Sequence, residues 1–530
     1  MSKIDATSTT VNTEKRRRLS PWRVILALLM LAGISWSIFW SLQRFKDNYL
    51  SVNVKPWFAE YVDVTATPIF DFEHIDGKSL SNNAVLSFIV SSAKDTCTPA
   101  WGGAYTLDEA GVQLDLDRRI ALFRQKQGNI AVSFGGLRND ELAVKCEDQG
   151  NLIEAYKSVI DRYGIDTIDL DLEGNGLTDP DALKRRGMVV AELQKTKRLE
   201  GKSLAVWLTL PVSPQGLTQD GTNAVSAMLS EGVDLAGVNV MTMDYGASRE
   251  KNQTMQQASE MALTETHRQL RILYNQSGKN LSDSTLWTKI GATPMIGQND
   301  FADEIFTLED AAGLNEFAIS KGIARISIWS GNRDVECGEN YVNISVVSDS
   351  CSGIKQEKSA FTNILGRGFA GDISGNASLI TVESPATKQK PDNPDESPYQ
   401  IWSESGTYLQ GTKVVWHQSV YQAKWWTQGN LPDNPVLQSW ETPWQLIGPV
   451  LPGEKPIPQV TLPAGIYPVW SGETVYDDGQ RVLFNGIPYQ AKWWTQGDSP
   501  AASTSNPDSS PWMILTKEEI DKVIVELGGN

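Results

Sequence analysis

Six residues from Ile168 to Glu173 alternate apolar and acidic side chains: Ile168-Asp169-Leu170-Asp171-Leu172-Glu173. Successive side chains of a strand point to opposite faces, so Asp169, Asp171 and Glu173 share one face and the aliphatics the other. An amphipathic edge strand with its acids in water has the same alternation. Three carboxylates at a two-residue repeat repel one another, however, and a plain surface strand would mix lysine or threonine into that face. Crowded carboxylates raise the pKa of one member and so hold a proton near neutral pH, which is what a general acid requires. The row reads as a site for acid–base chemistry.

Such a row needs a scaffold to hold it. Short strand-like runs recur at Trp57–Thr65, Ala84–Val90, Asn129–Gly136, the segment ending at Asp171, Leu204–Pro211, Val238–Tyr245, Lys289–Met295 and Ala324–Trp329. Helical patterns lie between them at 117–127, 151–163, 180–196, 221–231, 254–275 and 307–321. Strands alternating with helices over this length predict an α/β fold, a (β/α)8 TIM barrel over residues 54–370. A doubly wound open sheet is the alternative, but no Gly-x-Gly-x-x-Gly follows the first strand. In a barrel the chemistry gathers at the C-terminal strand ends. Those ends carry Ser133-Phe134-Gly135-Gly136, Glu173, Met241-Thr242-Met243-Asp244-Tyr245 and Trp329.

Composition narrows the function. The chain has 530 residues, too many for one ordinary domain, and a formal net charge of −17. That charge argues against nucleic acid and against a polybasic membrane surface as partners. With three histidines and no Cys/His metal spacing, neither a metal site nor a Ser-His-Asp triad is supported, and no cofactor is expected. The four cysteines fall into local pairs, Cys97 with Cys146 and Cys337 with Cys351. Three connectivities are open; local pairing is the expectation in an oxidising compartment.

Both ends depart from the barrel pattern. Residues 1–23 are polar with a basic cluster, Lys15-Arg16-Arg17-Arg18, and residues 24–43 carry no charge. Twenty helical residues cover about 30 Å, enough for a bilayer core, and Trp36 and Trp40 suit its interface. A buried helix would show a polar face, and a cleaved signal would have a shorter apolar run ending in small residues. The expectation is an uncleaved signal anchor with residues 1–23 cytoplasmic and the rest outside, or a secreted protein if the segment is removed. After a linker at 371–397 comes an internal repeat. Gln422-Ala-Lys-Trp-Trp-Thr-Gln-Gly429 recurs unchanged at 490–497, and the same register carries Trp402 onto Trp470 and Trp444 onto Trp512. Two small modules, 398–448 and 466–516, are therefore expected, with a Pro-rich linker at 449–465 and a tail at 517–530. So small a unit needs tryptophan for its core. Adjacent strand residues face opposite ways. Of Trp425 and Trp426, and of Trp493 and Trp494, one is expected inside and one outside, without the sequence choosing which.

Asp166-x-x-Asp169-x-Asp171-x-Glu173 resembles the DxxDxDxE signature of glycoside hydrolase family 18, the chitinases and their relatives. The SxGG at 133–136, the Met-Asp-Tyr-Gly of a bacterial subgroup at 243–246 and the tryptophan at 329 stand in the same order as in that family. The repeats resemble all-β carbohydrate-binding modules of families 5 and 12. The resemblance implies a chitinase that cleaves β-1,4-linked N-acetylglucosamine polymers with retention, the substrate's own acetamido group attacking. It implies Glu173 as general acid/base, Asp171 on the acetamido N–H, Asp169 supporting Asp171, and Tyr245 bonding the acetamido oxygen. Ser133, Gly135, Gly136, Met241, Met243, Asp244 and Trp329 would line the sugar site. Chitin or chitooligosaccharide is the implied partner, bound by a monomer. A non-catalytic chitin lectin or adhesin, and an endo-N-acetylglucosaminidase acting on glycoprotein or peptidoglycan, are the alternatives.

Overall fold

The computed structural model describes residues 55–74, 82–339, 346–373, 392–451, 462–500 and 510–528, with a few positions between them. The basic tail and the expected membrane segment at 24–43 lie outside the described residues. Among the described residues no helix is long and apolar enough to cross a membrane.

Eight strands form the first body: β1 (Trp57–Asp63), β2 (Asn83–Ser91), β3 (Asn129–Gly135), β4 (Thr167–Asp171), β5 (Ala205–Ser213), β6 (Leu235–Met241), β7 (Ile290–Thr293) and β8 (Arg325–Ile328). Each pairs in parallel with its neighbours, and β8 pairs with β1, so the sheet closes into a (β/α)8 barrel. The six expected helices are present, with their ends shifted by a few residues at most; the longest spans Met255–Gln276. Their starts are set chemically: Thr254 and Thr307 form reciprocal caps with Gln257 and Asp310, and Pro180 opens its helix behind the Asp179 cap.

The strands are buried on both faces, as parallel sheets are. Outward residues such as Phe58, Val62, Leu170 and Val240 pack under the helices. Inward residues form a separate cluster with Trp57, Tyr61 and Trp207, and Ile373 joins it. Ile373 donates its N–H to Asn83 Oδ1 (3.3 Å), so the barrel domain runs at least that far, past the expected boundary at 370.

Both cysteine pairs are joined as disulfides, Cys97–Cys146 and Cys337–Cys351. The first ties the loop after β2 to the short helix after β3. The second closes the long loop after β8.

The two C-terminal modules repeat one plan, each a two-stranded ladder beside a three-stranded antiparallel sheet. Trp402, Tyr408 and Trp444 make the first core, and Tyr476, Tyr489 and Trp512 the second. Both modules extend past the expected limits. Asp392 accepts from the backbone of His417 and Gln418. At the other end, Leu462 packs with Leu483, Leu515 and Ile520. The expected C-terminal tail is a helix, Lys517–Gly528, seated on the second module.

One expectation about the modules is corrected. Neither tryptophan of a pair is core: Trp425 and Trp426 are 44% and 55% exposed, and Trp493 and Trp494 are 45% and 60%. The strands end at Ala423 and Ala491, so both pairs sit in a bend where strand alternation no longer applies. Lys424 covers Trp425 (4.8 Å) and Lys492 covers Trp493 (4.5 Å), leaving the second ring of each pair the more open.

Candidate active site

Strand β4 directs Asp169 and Asp171 into the barrel, and Glu173 follows at its end as the chain turns into the helix Gly174–Thr178. Asp166, the first acid of the motif, is not among them. It sits at the opposite end of β4, within electrostatic reach of Arg124. A cavity of 750 Å³ opens at the C-terminal end of the barrel. Asp171, Glu173, Met241, Met243, Asp244 and Trp329 line it, together with Tyr61 and Asp63 from β1. Trp329 forms one wall, half-buried and stacked on Phe88 with centroids 5.5 Å apart.

Asp169 lies beneath this cavity, fully buried, and both its oxygens are saturated. Oδ1 accepts from Arg325 Nη1 (2.7 Å) and Thr209 Oγ1 (2.8 Å). Oδ2 accepts from Ser133 Oγ (2.7 Å) and the Tyr61 hydroxyl (2.8 Å). Arg325 is itself buried beside the rings of Trp57, Tyr61 and Trp207 and donates to Tyr61 (2.8 Å). A guanidinium stays charged at any working pH, so its contact with Asp169 is a buried, charge-assisted one. Asn239 and Thr293 extend the network to β6 and β7.

Asp171 differs from Asp169: its Oδ1 is buried and has no hydrogen-bond partner. Burial first, then the charges of Glu173 and Asp169, push its pKa well above the usual carboxylate range, against the pull of Arg325. Glu173 rises to about 7, again through burial first and through Asp244 second. Asp244 rises to about 6, mainly by burial, while the Asp300 N–H on its Oδ1 (2.8 Å) opposes the shift. The cavity therefore holds an acid protonated near neutral pH beside an unsatisfied acceptor.

Four residues expected to line the site stand elsewhere. Tyr245 is buried in the layer between barrel and helices, its hydroxyl 3.2 Å from Ser259 Oγ on the helix Met255–Gln276. The cause is local. Strand β6 ends at Met241, and Asp244 adopts a left-handed φ of 49°, which turns the next residue outward. Glu304 then fixes the turn by accepting from the N–H groups of Tyr245 and Gly246. Ser133 is committed to Asp169. Gly135 and Gly136 shape the strand contact rather than the cavity wall. A Cβ on Gly135 would lie 2.0 Å from the Asp171 carbonyl oxygen, and one on Gly136 would lie 3.1 Å from the Phe88 ring.

Sequence reasoning missed Tyr61, Thr209, Asn239, Thr293 and Arg325. A signal existed: Arg325 has the inward parity of Trp329 on β8, and Tyr61 that of Trp57 on β1. Neither residue belongs to a motif.

Comparison with known proteins agrees with this geometry. Over 315 residues the chain is 33% identical to "Probable bifunctional chitinase/lysozyme" of Escherichia coli (strain K12), covering 58% of this chain and 34% of that protein. Over 311 residues it is 32% identical to "Endochitinase 11" of Metarhizium anisopliae, covering 57% of each. The chain thus spans between a third and three fifths of the length of these curated relatives. Among solved structures, the catalytic domain of the hyperthermophilic chitinase from Pyrococcus furiosus is 27% identical with a TM-score of 0.51, covering 59% of this chain and 95% of that one. Residues 469–512 match carbohydrate-binding module family 5/12. The barrel is thus homologous to the barrels of chitinases, and a segment matching carbohydrate-binding module family 5/12 follows it.

Proposed function

We propose that the chain is a membrane-anchored, extracytoplasmic chitinase of glycoside hydrolase family 18, in the subgroup marked by Met243-Asp244-Tyr245-Gly246, with a chitin-binding module in each C-terminal repeat. The observation that carries this reading is the pairing of Glu173, held protonated to about pH 7 on the cavity, with the unsatisfied oxygen of Asp171. Glu173 gives its proton to the leaving glycosidic oxygen as that bond to the anomeric carbon breaks. The substrate's acetamido oxygen forms a bond to the same carbon. Asp171 accepts the acetamido N–H and steadies the cationic oxazolinium that results. Glu173, now a carboxylate, takes a proton from water, whose oxygen opens the ring from the original face, giving retention. Arg325 holds Asp169 in place beneath the cavity, and the two acids whose pKa values are raised are Asp171 and Glu173. Tyr245 has no part in the scheme. Two disulfides and the basic-then-apolar N-terminus support the extracytoplasmic, anchored location.

The Escherichia coli relative, a probable bifunctional chitinase/lysozyme, supports one second reading, action on the N-acetylated glycan of peptidoglycan. Product analysis on chitin, chitosan, glycoprotein and peptidoglycan separates the two. Proton NMR of fresh products should show chitooligosaccharides from chitin, with the β-anomer first. Initial α-anomer, or a preference for peptidoglycan, would overturn the reading.

A further inference from the structure

The two C-terminal repeats differ in sequence at the loop through which the first meets the barrel. On the flank of the barrel, the helix Met255–Gln276 presents Arg268 and Gln269 to the first module. Arg268 donates to the carbonyl oxygens of Val436 (2.7 Å) and Leu437 (2.9 Å). Gln269 donates to Leu437 O (3.0 Å), and its amide also bonds both backbone groups of Leu217 in the hairpin after β5. The Leu437 side chain packs against the apolar layer of the barrel. This loop is braced inside its own module, since Lys424 donates to Ser439 O and Gln438 and Glu441 cap each other.

The repeat supplies an internal control. Val436-Leu437-Gln438 of the first module corresponds, in the same register, to Thr504-Ser505-Asn506 of the second. The core tryptophans and the Trp-Trp pair are kept, while the apolar docking loop is replaced by small polar residues. Retention of the one and loss of the other separate sugar binding from docking.

Placement gives the contact a direction. Tyr421 lies within electrostatic reach of Arg271, and Lys424 within reach of Glu265. The module strand therefore climbs the helix toward its N-terminal end. That end follows the loop bearing Asp244, so it belongs to the face of the barrel that opens the cavity. Trp425 and Trp426 come next in the chain.

We propose that the first module is a docked, orienting part of the catalytic body, clasped through Arg268, Gln269, Val436 and Leu437. It presents its exposed tryptophans to the polymer in a fixed relation to the cleft, whereas the second repeat carries Thr504, Ser505 and Asn506 in place of the docking residues. The sugar-presenting half of this rests on the chitinase reading; the docking half does not. The clasp is three hydrogen bonds to backbone carbonyls plus one half-buried leucine, stabilised further by the covalent tether.

The test inserts a site for a sequence-specific protease within residues 376–390 of the full chain. After cleavage, the fragment bearing both modules should co-elute with the barrel in size exclusion at micromolar concentration. In the double variant Arg268→Ala, Leu437→Ser, which installs the second module's residue, the fragments should separate. Uncut, that variant should lose about tenfold in rate on insoluble chitin. It should bind chitin and cut soluble chitooligosaccharides as the parent does. Separation of the parent's fragments overturns the docking. Undiminished attack on insoluble chitin by a variant whose fragments do separate overturns the orienting role. A parent that cuts neither form of chitin defeats the functional reading and leaves fragment association to decide the docking.

Discussion

At the scale of single residues, neighbouring acids are given different states by what touches them. Asp169 has four donors, one of them a guanidinium, and both its oxygens are satisfied. Asp171 has an oxygen with none and resists ionisation. The acid itself depends on a partner outside the motif: Glu173 reaches about 7 with help from Asp244. A negative charge nearby favours the neutral form of Glu173, so removing that charge lowers its pKa. The acid works while protonated, so kcat/KM of the parent should fall as pH rises through about 7. In Asp244→Asn that fall should begin at lower pH, read from kcat/KM against pH on a soluble oligosaccharide. An alkaline limb that stays put or moves upward would show that Asp244 does not set the proton on Glu173.

At the scale of elements, periodicity predicted all eight strands and six helices, because apolar alternation and caps are local properties. The carboxylate column was legible for the same reason: three residues on one unbroken strand keep their parity. Tyr245 was misread because the strand stops at Met241 and one left-handed residue reverses the next side chain. The tryptophan pairs were misread likewise, lying just beyond strand ends. Arg325 and Tyr61 come from strands remote in sequence and meet Asp169 only because the barrel closes, which no local pattern encodes. The turn at Asp244 yields a prediction. Tyr245→Phe should leave kcat and KM within about twofold and lower stability by roughly 1 kcal/mol, since only the Ser259 hydrogen bond is lost. Steady-state kinetics and a denaturant midpoint would check it. A large drop in kcat would return the Tyr245 hydroxyl to the reaction.

At the scale of the whole molecule, the acidic cavity of the barrel is joined to two repeats of exposed tryptophan pairs. A single small aromatic face binds a sugar chain weakly. Two faces on one polymer raise the effective concentration, and avidity can grow by roughly 10²–10⁴ where geometry permits. Removing residues 462–530, which takes the second module and the helix seated on it, should weaken binding to insoluble chitin by about tenfold or more. Cutting of short soluble oligosaccharides should be unchanged, because the cavity residues lie between Tyr61 and Asp349. Pull-down on chitin beside a soluble assay would show it; a parallel fall in both would place the module at the cleft.

All of this turns on Glu173 as the proton donor. Glu173→Gln keeps the shape of the side chain and removes the transferable proton. The measurement is turnover of a soluble chitooligosaccharide by the purified variant, with its affinity for the same ligand taken by calorimetry. Turnover should fall by roughly 10²–10⁴-fold or more while affinity stays near that of the parent. Near-full turnover in Glu173→Gln would contradict the account.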